Sequence, residues 1–135
     1  KEATGDLSRT PLLRELCGPD FALYSGDDAS GCDFMLQGGD GVISVTTNIA
    51  APQMADMCRA ALAGDAGQAH DINNRLMPLH QTLFCEPSPI PVKWACARLG
   101  LMATATLRLP LTDLTPEGEQ AMTRALTTAE LMASV

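Results

Sequence analysis

Lysine is scarce in this sequence. Lys1 and Lys93 are the only two, and the nine basic residues in all face sixteen carboxylates for a net charge of −7. That balance excludes a nucleic-acid partner, because such binding rests on clustered Lys and Arg neutralising phosphates. No apolar run approaches the roughly 18 residues needed to cross a bilayer, and no basic, apolar, then small-residue leader opens the chain. The expectation is a soluble, cytoplasmic protein with no membrane partner. No CxxC pair occurs. Cys17, Cys32, Cys58, Cys85 and Cys96 are irregularly spaced among apolar neighbours, which predicts buried, reduced thiols and neither a zinc site nor a disulfide framework. His70 and His80 stand ten residues apart, outside any HExxH spacing, and are expected to serve surface or packing roles.

What is present is globular: 46% hydrophobic and 19% charged residues over 135 positions, enough for one core. Leu7 to Cys17 reads as an amphipathic helix with Leu12, Leu13, Leu16 and Cys17 on its core face, stopped by Gly18-Pro19-Asp20. Phe21 to Ser25 and Val42 to Thr46 read as strands buried on both faces, which implies a parallel sheet. Between them Ala29 to Gln37 reads as a helix with Asp28 or Ser30 as N-cap. Pro52 opens a further helix whose stripe is Met54, Met57, Cys58, Ala61 and Leu62, ending at Gly64. Past Gly64 the strand signal vanishes. Three helices are predicted there: Ala66 to Glu86 with an interruption at Pro78, Pro91 to Leu99, and Pro116 to about Ala133 capped by Thr115. Ile72, Leu76, Leu79 and Leu83 form the stripe of the first, and Trp94 is expected to anchor the second by burial.

The fold class is therefore α/β: strand–helix units over residues 1–64, then a three-helix region over 65–135. Two strands and their crossovers cannot close a sheet. A (β/α)₈ barrel needs about 250 residues, so the chain is expected to be the C-terminal part of a TIM barrel followed by a helical region. Reactive groups in such barrels project from C-terminal strand ends, and three ends are visible, at Lys1–Gly5, Ser25–Asp28 and Ser44–Asn48. Asp27 and Asp28 do not read as a magnesium site, since neighbouring carboxylates on an extended chain point apart. Gly38-Gly39-Asp40-Gly41 precedes a strand instead of opening a helix, so it is no phosphate cradle.

The runs KEATGDLSR (Lys1 to Arg9), YSGDDAS (Tyr24 to Ser30), GGDGVISVTTNIAA (Gly38 to Ala51), NRLMPLHQTLF (Asn74 to Phe84) and EPSPIPVKWA (Glu86 to Ala95) resemble the C-terminal half of the dihydrodipicolinate synthase family. KEATG and SGDD mark the broader pyruvate-lysine aldolase superfamily, which includes N-acetylneuraminate lyase, whereas EPSPIPVKWA discriminates toward the synthases. Ser88 stands where the family commonly has Asn, read as a change of capping residue.

The resemblance implies a lyase of class I aldolase type that condenses pyruvate with L-aspartate 4-semialdehyde in the diaminopimelate route of lysine biosynthesis, without metal or cofactor, as a homotetramer. Leu7 and its helix are the candidates for the weaker dimer–dimer contact. Lys1 aligns with the Schiff-base lysine, Ile43 with a residue whose backbone carbonyl lines the pyruvate pocket, and Gly26 with a glycine at which substrate approaches closely. A lysine suits imine chemistry only when its amine is partly neutral near pH 7. The relay threonines and tyrosines, the semialdehyde-binding arginine and the lysine-feedback site belong to the family's N-terminal half, so the missing half of the barrel is an expected partner. The alternatives are another pyruvate-dependent aldolase and a non-catalytic scaffold remnant.

Overall fold

Three short parallel segments lie side by side in the computed structural model, which describes residues 1–133. The first is the single residue Glu2, bridged to Ser25. The second, β1 (Tyr24–Ser25), pairs with the third, β2 (Gly41–Val42), in the register Tyr24 with Gly41 and Ser25 with Val42. The helices are α1 (Arg9–Cys17), α2 (Gly31–Leu36), α3 (Thr47–Leu62), α4 (Ala66–Thr82), α5 (Ile90–Arg98) and α6 (Pro116–Thr128). Residues group into two compact units, Lys1–Ser44 with Pro52–Asn74 and Val45–Ala51 with Arg75–Val135.

In the first unit the strands are shorter than expected and are not buried on both faces. Ser25 is buried while Tyr24 is exposed. The cause is one-sided cover. A Cβ at Gly31 would lie 2.8 Å from Cγ1 of Val42, so the absence of a side chain there lets α2 press its backbone onto the Ser25 and Val42 face. Cys32, Phe34 and Met35 of α2 and Met54, Met57 and Ala61 of α3 fill the core beneath, whereas Leu62, expected in that stripe, is exposed. The kink in α3 falls at Ala50 (φ −136°, ψ 42°), two residues before Pro52, so the regular helix begins where proline at N1 predicted. Ser30, one of the two expected caps, occupies the α2 cap position but makes no capping bond, and Asp27 Oδ2 accepts the Ser30 N–H at 3.0 Å and its hydroxyl at 2.6 Å. Helix α1 reverses its predicted burial. Thr10 is its one buried residue, and Leu12, Leu16 and Cys17 are exposed, Leu16 to 73%.

In the second unit α4 runs through Pro78 without the predicted interruption and ends at Thr82 instead of Glu86. Proline forfeits one backbone bond, but Leu76, Leu79 and the following Leu83 are essentially fully buried and hold the segment in place. Thr115 caps α6 as expected, its hydroxyl accepting the Gly118 N–H at 3.1 Å. The same hydroxyl donates to Glu86 Oε1 at 2.5 Å, which also accepts the Thr115 N–H. Ser88 caps nothing, since α5 starts at Ile90 behind Pro89 with no side-chain capping bond. Trp94 is half-buried and joins α5 to α6 by donating Nε1–H to Glu119 at 3.0 Å, so it anchors by a hydrogen bond as well as by packing. His80 is buried, with Nδ1 2.8 Å from the Thr46 hydroxyl.

Of the thiols, Cys32 and Cys96 are buried and Cys58 half-buried, but Cys17 and Cys85 are exposed, contrary to expectation. Among the described residues no helix is long and apolar enough to cross a membrane, and no three His, Cys, Asp or Glu side chains are grouped to hold a metal ion.

Candidate active site

The parallel register decides which side chains share a face. Glu2, Ser25 and Val42 stand level across the three segments. Side chains alternate along a strand and level neighbours point the same way, so Lys1, Tyr24 and Gly41 face opposite to that row, and Ala3, Gly26 and Ile43, two residues further on, face with them. Lys1, Gly26 and Ile43, the three candidates from sequence, are therefore brought onto one face of the sheet, opposite the face that α2 covers. That face is open: Lys1 and Tyr24 are exposed, and Ile43 is 52% exposed. The reading of Val42 to Thr46 as buried on both faces is not met at Ile43 within this chain.

The backbone at Ile43 is more telling. Its N–H donates to the Ser25 carbonyl at 2.8 Å and extends the ladder one residue past β2. The next rung of a parallel ladder would bring the Asp27 N–H to the Ile43 carbonyl. Instead that N–H donates to Ser25 Oγ at 3.1 Å. The Ile43 carbonyl is left out of the ladder at the level of Gly26.

Lys1 is held by its neighbour. Glu2 donates its N–H to Tyr24 at 2.8 Å and accepts from the Gly26 N–H at 2.7 Å. Its carboxylate accepts the Thr4 N–H at 2.8 Å and Arg9 Nε–H at 2.7 Å, pinning the loop that follows the strand. Hydrogen bonds from Thr4 and Arg9 hold the Glu2 carboxyl at about 2, well below its ordinary 4.5. Sequence reasoning missed this clamp, although an acid beside the candidate lysine and an arginine seven residues on are its signal. The other lysine is engaged elsewhere, Lys93 Nζ donating to the Thr106 carbonyl. A groove of about 660 Å³ between α5 and α6, lined by Trp94, Arg98, Glu119 and Arg124 among others, shares no residue with the strand-end site.

A sheet-end lysine beside a side-chain-free residue can form an imine with a keto acid, and an unladdered carbonyl nearby can accept a hydrogen bond from the protonated imine N–H. The model of the dihydrodipicolinate synthetase family matches residues 1–129. The chain belongs to that family. It is 60% identical over 132 residues to a protein of Sodalis glossinidius named 4-hydroxy-tetrahydrodipicolinate synthase, and 58% identical over 132 residues to one of that name from Escherichia coli. Each match takes in 98% of this chain and 45% of the relative. Among solved structures, the chloride-inhibited dihydrodipicolinate synthase of Acinetobacter baumannii complexed with pyruvate superposes with a TM-score of 0.93 at 45% identity, covering 98% of this chain and 45% of that one. The chain thus spans a little under half the length of its synthetase relatives, and its fold is that of the matching part of a dihydrodipicolinate synthase.

Proposed function

We propose that the protein carrying this chain is a 4-hydroxytetrahydrodipicolinate synthase, which condenses pyruvate with L-aspartate 4-semialdehyde on the route to diaminopimelate and lysine. Residues 1–64 would supply the last strand–helix units of a (β/α)₈ barrel and residues 65–135 its helical region. Lys1 is the imine-forming residue. Its amine adds to C2 of pyruvate and water leaves; loss of a proton from C3 gives an enamine whose carbon attacks the semialdehyde carbonyl. Gly26 and the Ile43 carbonyl belong to the pyruvate pocket. The observation that carries this reading is the placement of Lys1, Gly26 and Ile43 on one open face of three parallel segments, where the chain leaves the sheet. The complex of the A. baumannii relative with pyruvate supports the choice of keto acid. Exposed Leu12 and Leu16 on α1 support self-association of the full-length protein, read as a homotetramer.

The test is to treat the full-length protein with pyruvate and borohydride and locate the adduct by mass spectrometry. The adduct is expected on Lys1, and Lys1→Arg should abolish both adduct and turnover, because a guanidinium does not become the neutral nucleophile. An adduct on Lys93, or unimpaired turnover in Lys1→Arg, would overturn the assignment.

A further inference from the structure

We propose that Gly26 is a positioning residue for Lys1, and that its missing side chain makes room for the lysine chain as well as for substrate. A Cβ built on Gly26 would overlap Cε of Lys1, lie 3.1 Å from Lys1 Cγ and 2.8 Å from the Ala3 Cβ. The geometry follows from the register. Lys1 stands two residues before the level of Gly26 on the neighbouring segment and so shares its face, and strand side chains lean along the strand. The Lys1 methylenes therefore run across the bare backbone of Gly26, with Ala3 closing the far side. This rests on Lys1 as the imine-forming residue and gives Gly26 a second task beyond admitting the keto acid.

The consequence is unusual for so close a glycine contact. The atom met first is Lys1 Cε, near the end of a flexible side chain, so the lysine can shift away from an added methyl group at little cost to the fold. Swinging it moves Nζ, and a displacement of about 1 Å at a reacting atom costs about 100-fold in rate. Ala3 cannot yield in that way, because its Cβ is fixed to the strand. A methyl group on residue 26 is thus pressed toward the lysine.

The experiment uses full-length wild type, Gly26→Ala, Ala3→Val and the double variant Gly26→Ala/Ala3→Gly. Borohydride trapping at Lys1 is measured with pyruvate and with glyoxylate, the smaller keto acid that lacks the methyl group, alongside thermal melting. Gly26→Ala is expected to melt within a few degrees of wild type while trapping falls about 100-fold with both keto acids. Removing the Ala3 methyl group should restore at least about a tenth of the lost rate. Ala3→Val fills the same space from the first segment and should reproduce the loss, so the inference remains exposed if Gly26→Ala fails to fold. Trapping within about threefold of wild type in either single variant would overturn it, as would loss confined to pyruvate with glyoxylate spared, the signature of a glycine that serves substrate alone. Absence of any Lys1 adduct in wild type would overturn the imine assignment itself, and this inference with it; a wild-type adduct that Gly26→Ala leaves intact would overturn only the positioning role.

Discussion

The guanidinium of Arg14 and the carboxylate of Asp40 meet at 2.7 Å, and between them they fasten the end of α1 to the start of both strands. Arg14 also donates to the carbonyls of Gly18, Phe21 and Gly38, at 3.2, 2.7 and 2.7 Å. Asp40 accepts the Leu23 N–H at 2.7 Å with the same oxygen that meets Arg14. The Gly-Gly-Asp-Gly run is thus an attachment point for the strand pair that carries Gly26 and Ile43.

Replacing Arg14 by Ala should destabilise the protein by about 1–3 kcal/mol, the range for losing charge-assisted bonds at a partly exposed site. The shift should appear in the midpoint of urea unfolding with the slope unchanged. An unchanged midpoint would show that the strand pair does not depend on this attachment.

Acid should release the Lys1 loop. The folded pKa of Glu2 is depressed from 4.5 to about 2 by bonds from Thr4 and Arg9, so its contribution is complete above 4.5 and is lost as pH falls toward 2. Asp6 and Asp40 are depressed in the same direction, Asp6 chiefly by Ser8 and Asp40 by the Leu23 N–H and then Arg14. Near neutral pH these groups stay ionised, so the clamp beside Lys1 should contribute no pH dependence to turnover between about pH 6 and 8. The Thr4 amide resonance should titrate with a midpoint near 2. A midpoint at the ordinary glutamate value would remove the clamp from the account.

Local chemistry in the sequence was legible and one-sided burial was not. Thr115 with Pro116 forecast the start of α6, Pro52 the regular part of α3, and Leu76, Leu79 and Leu83 a buried stripe, because caps and periodicity are properties of neighbouring residues. The strand readings failed in degree: apolar runs at Phe21–Ser25 and Val42–Thr46 promised cover on both faces, yet this chain covers only the α2 side. The same reason exposes Leu12 and Leu16 on α1, whose apolar pattern has no partner to meet within the first unit. The candidates Lys1, Gly26 and Ile43 came from motif resemblance, and the register sets the three on one face. The clamp at Glu2 is local, signalled by the acid beside Lys1 and by Arg9, whereas the lysine path over Gly26 and the unladdered Ile43 carbonyl depend on register, which no short pattern encodes.

The buried pair in the second unit should be costly to disturb. Thr46 and His80 sit 34 positions apart and share a 2.8 Å bond away from solvent. Thr46→Val keeps the shape and removes the hydroxyl, leaving Nδ1 without that partner in a setting where a lost hydrogen bond costs about 1–3 kcal/mol. Thr46→Ser, which keeps the oxygen, should recover most of the loss. Equal stability of the Val and Ser variants would assign the effect to packing.

The 135-residue chain, made by itself, should not behave as a stable monomer. Among the described residues β2 pairs only with β1, and the segment at Glu2 pairs only on its β1 side, so both outer edges present unmade backbone bonds. The face bearing Lys1 also leaves Tyr24 and Ile43 open, and α1 leaves Leu12 and Leu16 open. Exposed strand edges together with apolar patches larger than a few hundred Å² drive association in water. The isolated chain is therefore expected to bind 8-anilinonaphthalene-1-sulfonate, to melt without a cooperative transition and to lack condensation activity. Supplying the N-terminal portion present in the longer relatives should suppress dye binding and restore turnover together. A sharp melt with weak dye binding by the chain alone would show that its two units close their own cores, and measurable condensation by it would place every essential group within these 135 residues.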